Sequence, residues 1–494
     1  MGFLISSDIE FVNKLIVKYT EIYIKKEFLN YDITEYVDFV EINKGLIYSG
    51  LLSYSDKESY KKMALKYATI ISTITTDILV LTKCKKIMNR LSIYTYEEVV
   101  KKRKNIDLPQ VVRSGLCSFE DEIMRYNHTK KIGENSFILN DFQVKVDYAI
   151  NNYKYVSVSA PTSVGKSFIM KKVIIETVIN KEKGKVLYIV PTRALISQVM
   201  NDIQQELNDM NLDENIYVTC TSELDDEVDV NRYIFVLTQE RLNQLCCNAN
   251  IDFDVQLLVI DEAQKIGEDA RGLLLEHTIR VAQRIWPSMK ICFLAPLIKN
   301  PEIFLERFSL YDSFCRREKF STVNQNIVHI KKNTRNRKSF IDIECDNKTI
   351  HEIPIVAKNY KGIGEQVSFV YSVFNNHENS IIYCNVPSST RKIANSICKY
   401  NTFEYTGDQE LEEFSEFLNK YICEKYELVD LIKRGIAFHY RFMPGIIKSG
   451  IEELASKGKL KLIICTSTLW TVVNKMDTLY ENISERSGLG LLPV

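Results

Sequence analysis

Ala160-Pro-Thr-Ser-Val-Gly-Lys-Ser167 lies between a run that predicts a strand, Tyr155-Val-Ser-Val-Ser159, and a run that predicts a helix, Ser167-Phe-Ile-Met-Lys-Lys-Val-Ile-Ile175. Strand, loop and helix in this order are the context that a phosphate-binding loop requires. Backbone N–H groups at a helix N-terminus form an anion site, and Gly165 leaves room for phosphate oxygens to approach the main chain. The first position, Ala160, departs from the general GxxxxGK[ST] pattern, so a chance Gly-Lys-Ser in a surface turn is the alternative. The flanking strand and helix favour the phosphate loop.

The residue types in this loop predict a site for a nucleoside triphosphate and its magnesium ion. Lys166 is expected to reach the β and γ phosphates, and the Ser167 hydroxyl is expected to bind Mg²⁺. The other loop residues expected to surround the phosphates are Pro161, Thr162, Ser163, Val164 and Gly165.

A pair of adjacent carboxylates gives the second chemical signal. Asp261-Glu262-Ala-Gln264 follows the apolar run Val255-Gln-Leu-Leu-Val-Ile260, which predicts a buried parallel strand. Residues that follow such strands point into the crevice where open α/β sheets bind ligands. Asp261 is expected to hold the magnesium ion, and Glu262 is expected to orient and deprotonate the attacking water. A solvated acidic turn is the alternative, and the phosphate loop upstream argues against it.

Composition limits the remaining classes. The 494 residues suffice for two or three domains, and 64 basic residues balance 64 acidic ones, so any contact with nucleic acid must be local. The twelve cysteines contain no CxxC pair, which predicts reduced thiols in a cytoplasmic protein and no zinc or iron–sulfur site. The apolar stretch from Ala68 to Leu81 is interrupted by threonines and Asp77, so no membrane span is expected.

The changing pattern along the chain predicts an α/β protein with two RecA-like parallel-sheet lobes, the second incomplete, after a mainly helical N-terminal domain. Residues 1–130 have helical periodicity, and residues 131–310 alternate short apolar strands with helices, as the ATP-binding lobe would. Residues 311–365 are interpreted as a strand-poor connector that contains the basic run Lys331–Lys338. The second α/β pattern, residues 366–494, lacks a phosphate loop, which suggests a motor whose nucleotide lies between two lobes.

These segments resemble the motifs of superfamily 2 helicases, most closely those of the Ski2-like group. Their order and spacing extend over about residues 139 to 474, and several independent coincidences would be needed to produce them. The matching segments are Ala160–Ser167 as motif I, Pro191–Leu195 as motif Ia, Thr238–Arg241 as the next nucleic-acid-contacting motif, Asp261–Gln264 as motif II, Asn385–Ser389 as motif IV and Cys465–Leu469 as motif V.

The resemblance implies ATP and Mg²⁺ as cofactors and a single-stranded segment of DNA or RNA as partner. It implies that Gln143 reads adenine and that Gln264 acts in catalysis with Glu262 and Lys166. Hydroxyls and main-chain amides at strand ends can hold a nucleic-acid backbone without many positive charges, which suits a neutral chain. The residues expected to do so are Pro191, Thr192, Arg193, Thr238, Thr466 and Ser467.

Three departures from the family pattern concern coupling and turnover. Motif III, usually Ser-Ala-Thr, is here Leu294-Ala-Pro296, and motif V continues with Val472-Val473-Asn474 where a glycine is expected. The arginines of motif VI are reduced to Arg486, which is expected either to be a remnant contact to the γ-phosphate or to leave that contact absent. The family also carries further C-terminal domains, so the chain is interpreted either as the front part of a larger helicase or as a product truncated or frameshifted near Trp470.

Three functional hypotheses follow. The first is an ATP-dependent helicase or translocase; the helical N-terminal region, the DEAQ motif and Arg271-Gly272 are similar to helicase subunits of bacterial antiphage systems of the Hachiman type, which implies antiviral defence and an effector subunit. The second is a module that binds ATP and nucleic acid, or a partner protein, without productive turnover, because motif VI is missing. The third is a P-loop ATPase of another class, which Pro191–Leu195 and Thr238 argue against.

Overall fold

The computed structural model describes most of the chain. Its described residues are 6–29, 37–109, 116–212, 216–222, 231–248, 254–268, 270–296, 298–323, 327–332, 339–345, 348–355, 380–400, 403–423, 425–466 and 490–493. The fold divides into two compact units: one contains residues 1–13 and 39–324, and the other contains residues 14–38 and 325–494.

The N-terminal region is helical, as its periodicity predicts. Its helices are α1 (Ser6–Leu29), α2 (Phe39–Ser53), α3 (Glu58–Ile74), α4 (Ile78–Arg90), α5 (Tyr96–Lys104) and α6 (Leu116–Asn127). Helix α3 buries Met63, Tyr67, Ile70 and Ile74, which recur at helical spacing on one face. Helix α4 begins at a true cap, because the Asp77 carboxylate accepts a hydrogen bond of 2.9 Å from the Val80 nitrogen.

A hairpin and a helix connect this region to the large sheet. Strands β1 (Thr129–Ile132) and β2 (Asn135–Ile138) pair antiparallel, and helix α7 (Asp141–Asn152) follows them. Seven parallel strands then form the sheet in the order β5-β6-β4-β7-β8-β3-β9. They are β3 (Tyr155–Ser159), β4 (Lys185–Ile189), β5 (Tyr217–Thr219), β6 (Tyr233–Leu237), β7 (Leu257–Ile260), β8 (Lys290–Ala295) and β9 (Ser313–Arg317).

Helices cover both faces of this sheet, which explains the continuous apolar runs of its strands. One core joins alternate strand residues such as Val158 and Val259 to α7, α8 (Lys166–Ile179) and α9 (Arg193–Asp209). The other core joins the intervening residues, such as Ile260 and Phe293, to α10 (Gln239–Asn248), α11 (Ala270–Ile285) and α12 (Ile303–Arg307). The predicted doubly wound α/β lobe is confirmed.

The segment interpreted as a strand-poor connector contains strands, so that expectation is wrong. Strands β10 (Ile327–Lys332), β11 (Ser339–Cys345) and β12 (Lys348–Ile355) form an antiparallel sheet in the order β10-β11-β12. Apolar and charged residues alternate in this segment, as in Ile341-Asp-Ile-Glu344, so it lacks the continuous apolar runs that mark the strands of a parallel sheet. Part of the basic run, 333–338, lies outside the described residues.

The second unit also contains a smaller sheet with the order β14-β15-β13-β16. Strands β13 (Ser380–Tyr383), β14 (Ile436–His439) and β15 (Leu462–Cys465) are parallel, and β16 (Gly490–Pro493) pairs antiparallel with β13. Its helices are α13 (Pro387–Tyr400), α14 (Gln409–Tyr421), α15 (Glu427–Lys433) and α16 (Gly445–Ser456). The three parallel strands follow the apolar runs that predict them.

In the described ranges, no helix has both the length and the apolar character needed to cross a bilayer.

Candidate nucleotide site

The loop after β3 is shaped by one glycine in a left-handed conformation. Gly165 has a φ of +81° and directly precedes helix α8, which begins at Lys166 and runs for 14 residues. This φ strains any other residue, and a Cβ atom at this position would also displace the side-chain amide of Gln143, so glycine is the residue that suits this position. The first N–H groups of α8, which have no partner within the helix, are thus presented at the end of β3.

Lys166 is held inside the loop. Its side chain is 5% exposed, and its ammonium group donates a hydrogen bond to the Ala160 carbonyl oxygen. Ser167, on the next residue of the helix, is exposed. The loop is fixed from the other side by the segment after β9, where the Thr322 hydroxyl donates to the Ser163 carbonyl oxygen at 2.8 Å.

Gln143 lies against this loop, and its amide is already engaged. Its Oε1 accepts a hydrogen bond of 2.9 Å from the Asn140 nitrogen, and its Nε2 donates to the carbonyl oxygens of Val164 and Gly165 at 3.4 and 3.3 Å. The Asn140 side chain caps α7 in return, which completes a capping box. Gln143 therefore holds the phosphate loop in this structure.

The two carboxylates follow β7, which is separated from β3 by one strand, β8. Asp261 accepts hydrogen bonds from the Glu262 nitrogen at 3.0 Å and from the Tyr188 hydroxyl at 3.1 Å. Burial raises the pKa of Asp261, and the Glu262 carboxylate raises it further, while the positive charge of Lys166 lowers it. Lys166 and the carboxylates therefore lie within electrostatic reach of one another, at the edge where parallel strands end.

Glu262 occupies an unusual backbone conformation. Its φ of 53° and ψ of 46° lie in the left-handed region, which a non-glycine residue adopts at a cost. The Gln264 side-chain nitrogen donates to the Glu262 carboxylate. The Gln264 oxygen is buried and has no hydrogen-bond partner among the described residues.

These residues fit Mg²⁺ and a nucleoside triphosphate. The cradle at Gly165, the adjacent buried ammonium group and the N-terminus of a long helix suit phosphate oxygens. The carboxylate and hydroxyl oxygens of Asp261 and Ser167 are the ligand types that Mg²⁺ prefers. The buried, unpartnered amide oxygen of Gln264 also suits a polar ligand next to Glu262.

The residues predicted to contact nucleic acid have varied surroundings. After β4, Arg193 is exposed and Pro191 half-buried, while the buried Thr192 hydroxyl has no partner within the described part of the chain. Thr238, after β6, is 1% exposed and shares a hydrogen bond with Glu240. Thr466 follows β15 in the second unit and is 6% exposed.

The remaining predicted site residues have no structural account. Ser467 and Arg486 lie outside the described residues, as does the rest of motif V, and the side chain of Thr162 is not described.

Sequence reasoning missed Tyr188, whose hydroxyl contacts Asp261 from the neighbouring strand, 73 residues away in sequence. It also noted Arg271-Gly272 without a role for either residue. Arg271 pairs with Glu240 at 2.9 Å, and Gly272 packs so closely on the backbone of Lys265 that a Cβ atom would not fit. The sequence signal for this close packing was the glycine itself, which follows an arginine in the first turn of α11.

Comparison with known proteins agrees with this geometry. Residues 140–302 match the family described as DEAD/DEAH box helicase. The ATP-dependent DNA helicase Hel308 of Thermoplasma volcanium is 27% identical over 69% of this chain and 46% of its own length. Anti-bacteriophage protein B of Escherichia coli K12 is 22% identical over 70% of this chain and 43% of its own length.

Among solved structures, the DUF1998 helicase MrfA bound to DNA aligns with a TM-score of 0.46 and 14% identity, covering 69% of this chain and 44% of that one. The chain spans about half the length of the curated relatives it matches. The family match and these relatives confirm the resemblance of the chain to Ski2-like superfamily 2 helicases.

Proposed function

We propose that this protein is an ATP-dependent helicase or translocase that moves along single-stranded DNA. The observation that carries the proposal is the convergence of Gly165, Lys166, Asp261 and Glu262 at one edge of the sheet, where the charge of Lys166 offsets part of the rise in the pKa of Asp261 that burial causes. The similarity to DNA helicases supports DNA as the polymer in preference to RNA. The similarity to an anti-bacteriophage protein supports a role in antiviral defence, with an effector subunit as a further partner.

In this proposal, residues of the chain bind the phosphates, orient the attacking water and accept its proton. The N-terminal amides of α8 and the Lys166 ammonium bind the β and γ phosphates. Ser167 and Asp261 would hold Mg²⁺, and the ion would neutralise the charge that develops on the phosphates. Glu262, positioned by the Gln264 amide, accepts the proton of the attacking water.

Movement on nucleic acid requires contacts that change as the nucleotide is hydrolysed. The loops after β4 and β6 start at the same sheet edge as the carboxylates, since all these strands are parallel. Pro191, Thr192, Arg193 and Thr238 are therefore proposed to hold the strand from this lobe, and Thr466 and Ser467 from the second. Alternation of these two grips during the ATP cycle would move the protein along the strand.

The test is the ATPase rate of the full chain with and without single-stranded DNA, single-stranded RNA and the corresponding duplexes. Single-stranded DNA is expected to stimulate hydrolysis, and Glu262→Gln is expected to abolish it while ATP binding persists. Glu268→Gln is the matched control, because this exposed carboxylate of the same loop pairs only with Lys265 among the described residues. ATP binding that depends on Lys166 with hydrolysis at background in the unmodified chain would instead identify a binding module without turnover.

A further inference from the structure

A polar cluster joins the helical region to the first turn of α7. The Asp141 Oδ1 atom accepts hydrogen bonds from the Ser92 hydroxyl at 2.7 Å and from the His128 Nε2 atom at 2.8 Å. Ser92, 4% exposed, follows helix α4, and His128 lies between helix α6 and strand β1. Three separate segments therefore meet at one carboxylate.

His128 donates from both sides of its ring. Its Nδ1 atom lies 2.6 Å from the Met124 carbonyl oxygen, and Nε2 faces the Asp141 carboxylate. Neither acceptor carries a proton, so the ring makes both bonds only as the imidazolium cation. The hydrogen bond to Asp141 raises the pKa of His128, and the same bond lowers the pKa of Asp141 to about 2.

Other charges near the cluster are few and mixed. Lys145, one turn along α7, opposes the charge of His128 and supports that of Asp141. Arg125 and Asp121 of α6 act on Tyr94, whose ring lies 5.8 Å from the His128 ring. The direct His128–Asp141 bond remains the main interaction of both groups.

The residues next to Asp141 hold the phosphate loop. Asn140, which precedes it, donates from its side chain to the Val164 carbonyl oxygen at 3.0 Å, and Gln143 donates to the carbonyl oxygens of Val164 and Gly165. A second tie fixes the same turn, because the Leu139 nitrogen donates to the His128 carbonyl oxygen at 2.8 Å. Displacement of the first turn of α7 would therefore move both side chains that hold the loop.

We propose that Asp141, held by Ser92 and His128, is a positioning residue through which the helical region sets the geometry of the phosphate loop. The inference rests on the proposed nucleotide-binding function. It gives the N-terminal helices a role in the ATP site, since a partner that displaces α4 or α6 would loosen the loop. The cluster also makes nucleotide affinity depend on pH, with the loop best held while His128 is a cation.

The test compares the full chain with Asp141→Asn and with the matched control Asp147→Asn. Asp147 lies further along the same helix, and its carboxylate pairs with Lys130 at 2.5 Å, so the change removes a carboxylate of α7 whose ion pair does not involve Ser92 or His128. Hydrogen exchange of the 160–167 backbone, followed by mass spectrometry, reports loop order without requiring ATP hydrolysis. Binding of a fluorescent ADP analogue, measured from pH 6 to 9, reports the consequence for the nucleotide.

In Asp141→Asn, faster exchange in residues 160–167 and about threefold to tenfold weaker nucleotide binding are expected, because a charge-assisted anchor is lost. Asp147→Asn should leave both unchanged. His128→Gln should remove the loss of affinity that the unmodified chain shows as the pH rises. If hydrogen exchange in residues 160–167 is unchanged in Asp141→Asn, the inference is overturned. If the unmodified chain binds no nucleotide, the proposed function is overturned. In that case the hydrogen-exchange result still decides whether Asp141 orders the phosphate loop.

Discussion

Replacing Gly272 by alanine tests whether the close packing of α11 on the motif II loop is required. A Cβ atom on Gly272 would lie 2.6 Å from the Gly267 nitrogen and 3.3 Å from the Gly267 Cα atom, and closer still to the Lys265 carbonyl oxygen. Unbonded carbon atoms normally stay about 3.5 Å or more from their neighbours, so backbone atoms must move by roughly 1 Å. All three obstructing atoms belong to the main chain, so no side-chain rotation relieves the collision.

The expected cost is that of overpacking, about 1–3 kcal/mol, which for a unit of this size corresponds to a thermal midpoint lower by roughly 2 to 5 °C. The displaced segment carries Gln264, the partner of Glu262, and Arg271, the partner of Glu240. The KM for ATP and the ATPase rate are therefore expected to deteriorate together with stability. Differential scanning calorimetry and steady-state ATPase assays measure the two effects.

Gly445→Ala provides the control. Gly445 begins helix α16, has no positive φ, and a Cβ atom there would meet nothing within 4 Å. This change is expected to be neutral or to stabilise the protein by about 0.4–1 kcal/mol, because alanine restricts the unfolded chain. If Gly272→Ala is as stable as Gly445→Ala and keeps the ATPase activity of the unmodified chain, the steric argument is refuted.

Three further changes have expected outcomes. Tyr188→Phe removes a hydrogen bond to Asp261. It should raise the Mg²⁺ concentration needed for half-maximal ATPase activity by up to about tenfold. An unchanged Mg²⁺ titration would contradict a role for this hydrogen bond. Lys172→Met leaves the half-buried Glu206 carboxylate without its buried partner and should destabilise the protein by about 1.5–3 kcal/mol in urea unfolding. The double change Lys172→Met/Glu206→Leu should recover most of that loss. The pKa of Asp141 is lowered to about 2, so the stability that its carboxylate contributes is fully present above pH 3.8 and disappears as the pH falls through 2. Asp141→Asn should therefore flatten the curve of unfolding free energy against pH between these values. Identical curves for the two proteins would contradict this contribution of Asp141.

The large sheet could be predicted because each strand, and the motif that follows it, are contiguous in the sequence. Strands buried on both faces, such as Leu257–Ile260, read as unbroken apolar runs, and the motifs directly follow them. The antiparallel strands β10–β12 were missed because charged residues alternate with apolar ones there, as in Ile341-Asp-Ile-Glu344, and the run of lysines and arginines beside them resembles a loop.

The support of the site could not be predicted in the same way. Tyr188 reaches Asp261 across 73 residues, and Ser92 reaches Asp141 across 49. Nothing in the local pattern of a buried strand or a short inter-helix turn indicates such partners, because they arise only when strands are ordered in the sheet and helices are docked. Phosphate-loop residues can therefore be recognised from sequence, while the residues that hold them must be located in the fold.

The left-handed backbone at Glu262 bears on how this protein can be engineered. Glycine adopts such a conformation without steric cost, whereas glutamate pays about 1–2 kcal/mol. A library screened only for heat resistance would therefore enrich Glu262→Gly, a chain that survives heating and has lost its proposed catalytic base. Directed evolution of a thermostable variant therefore needs an activity screen from the first round. At this position, selection for thermal stability favours glycine, whereas selection for ATP hydrolysis favours glutamate.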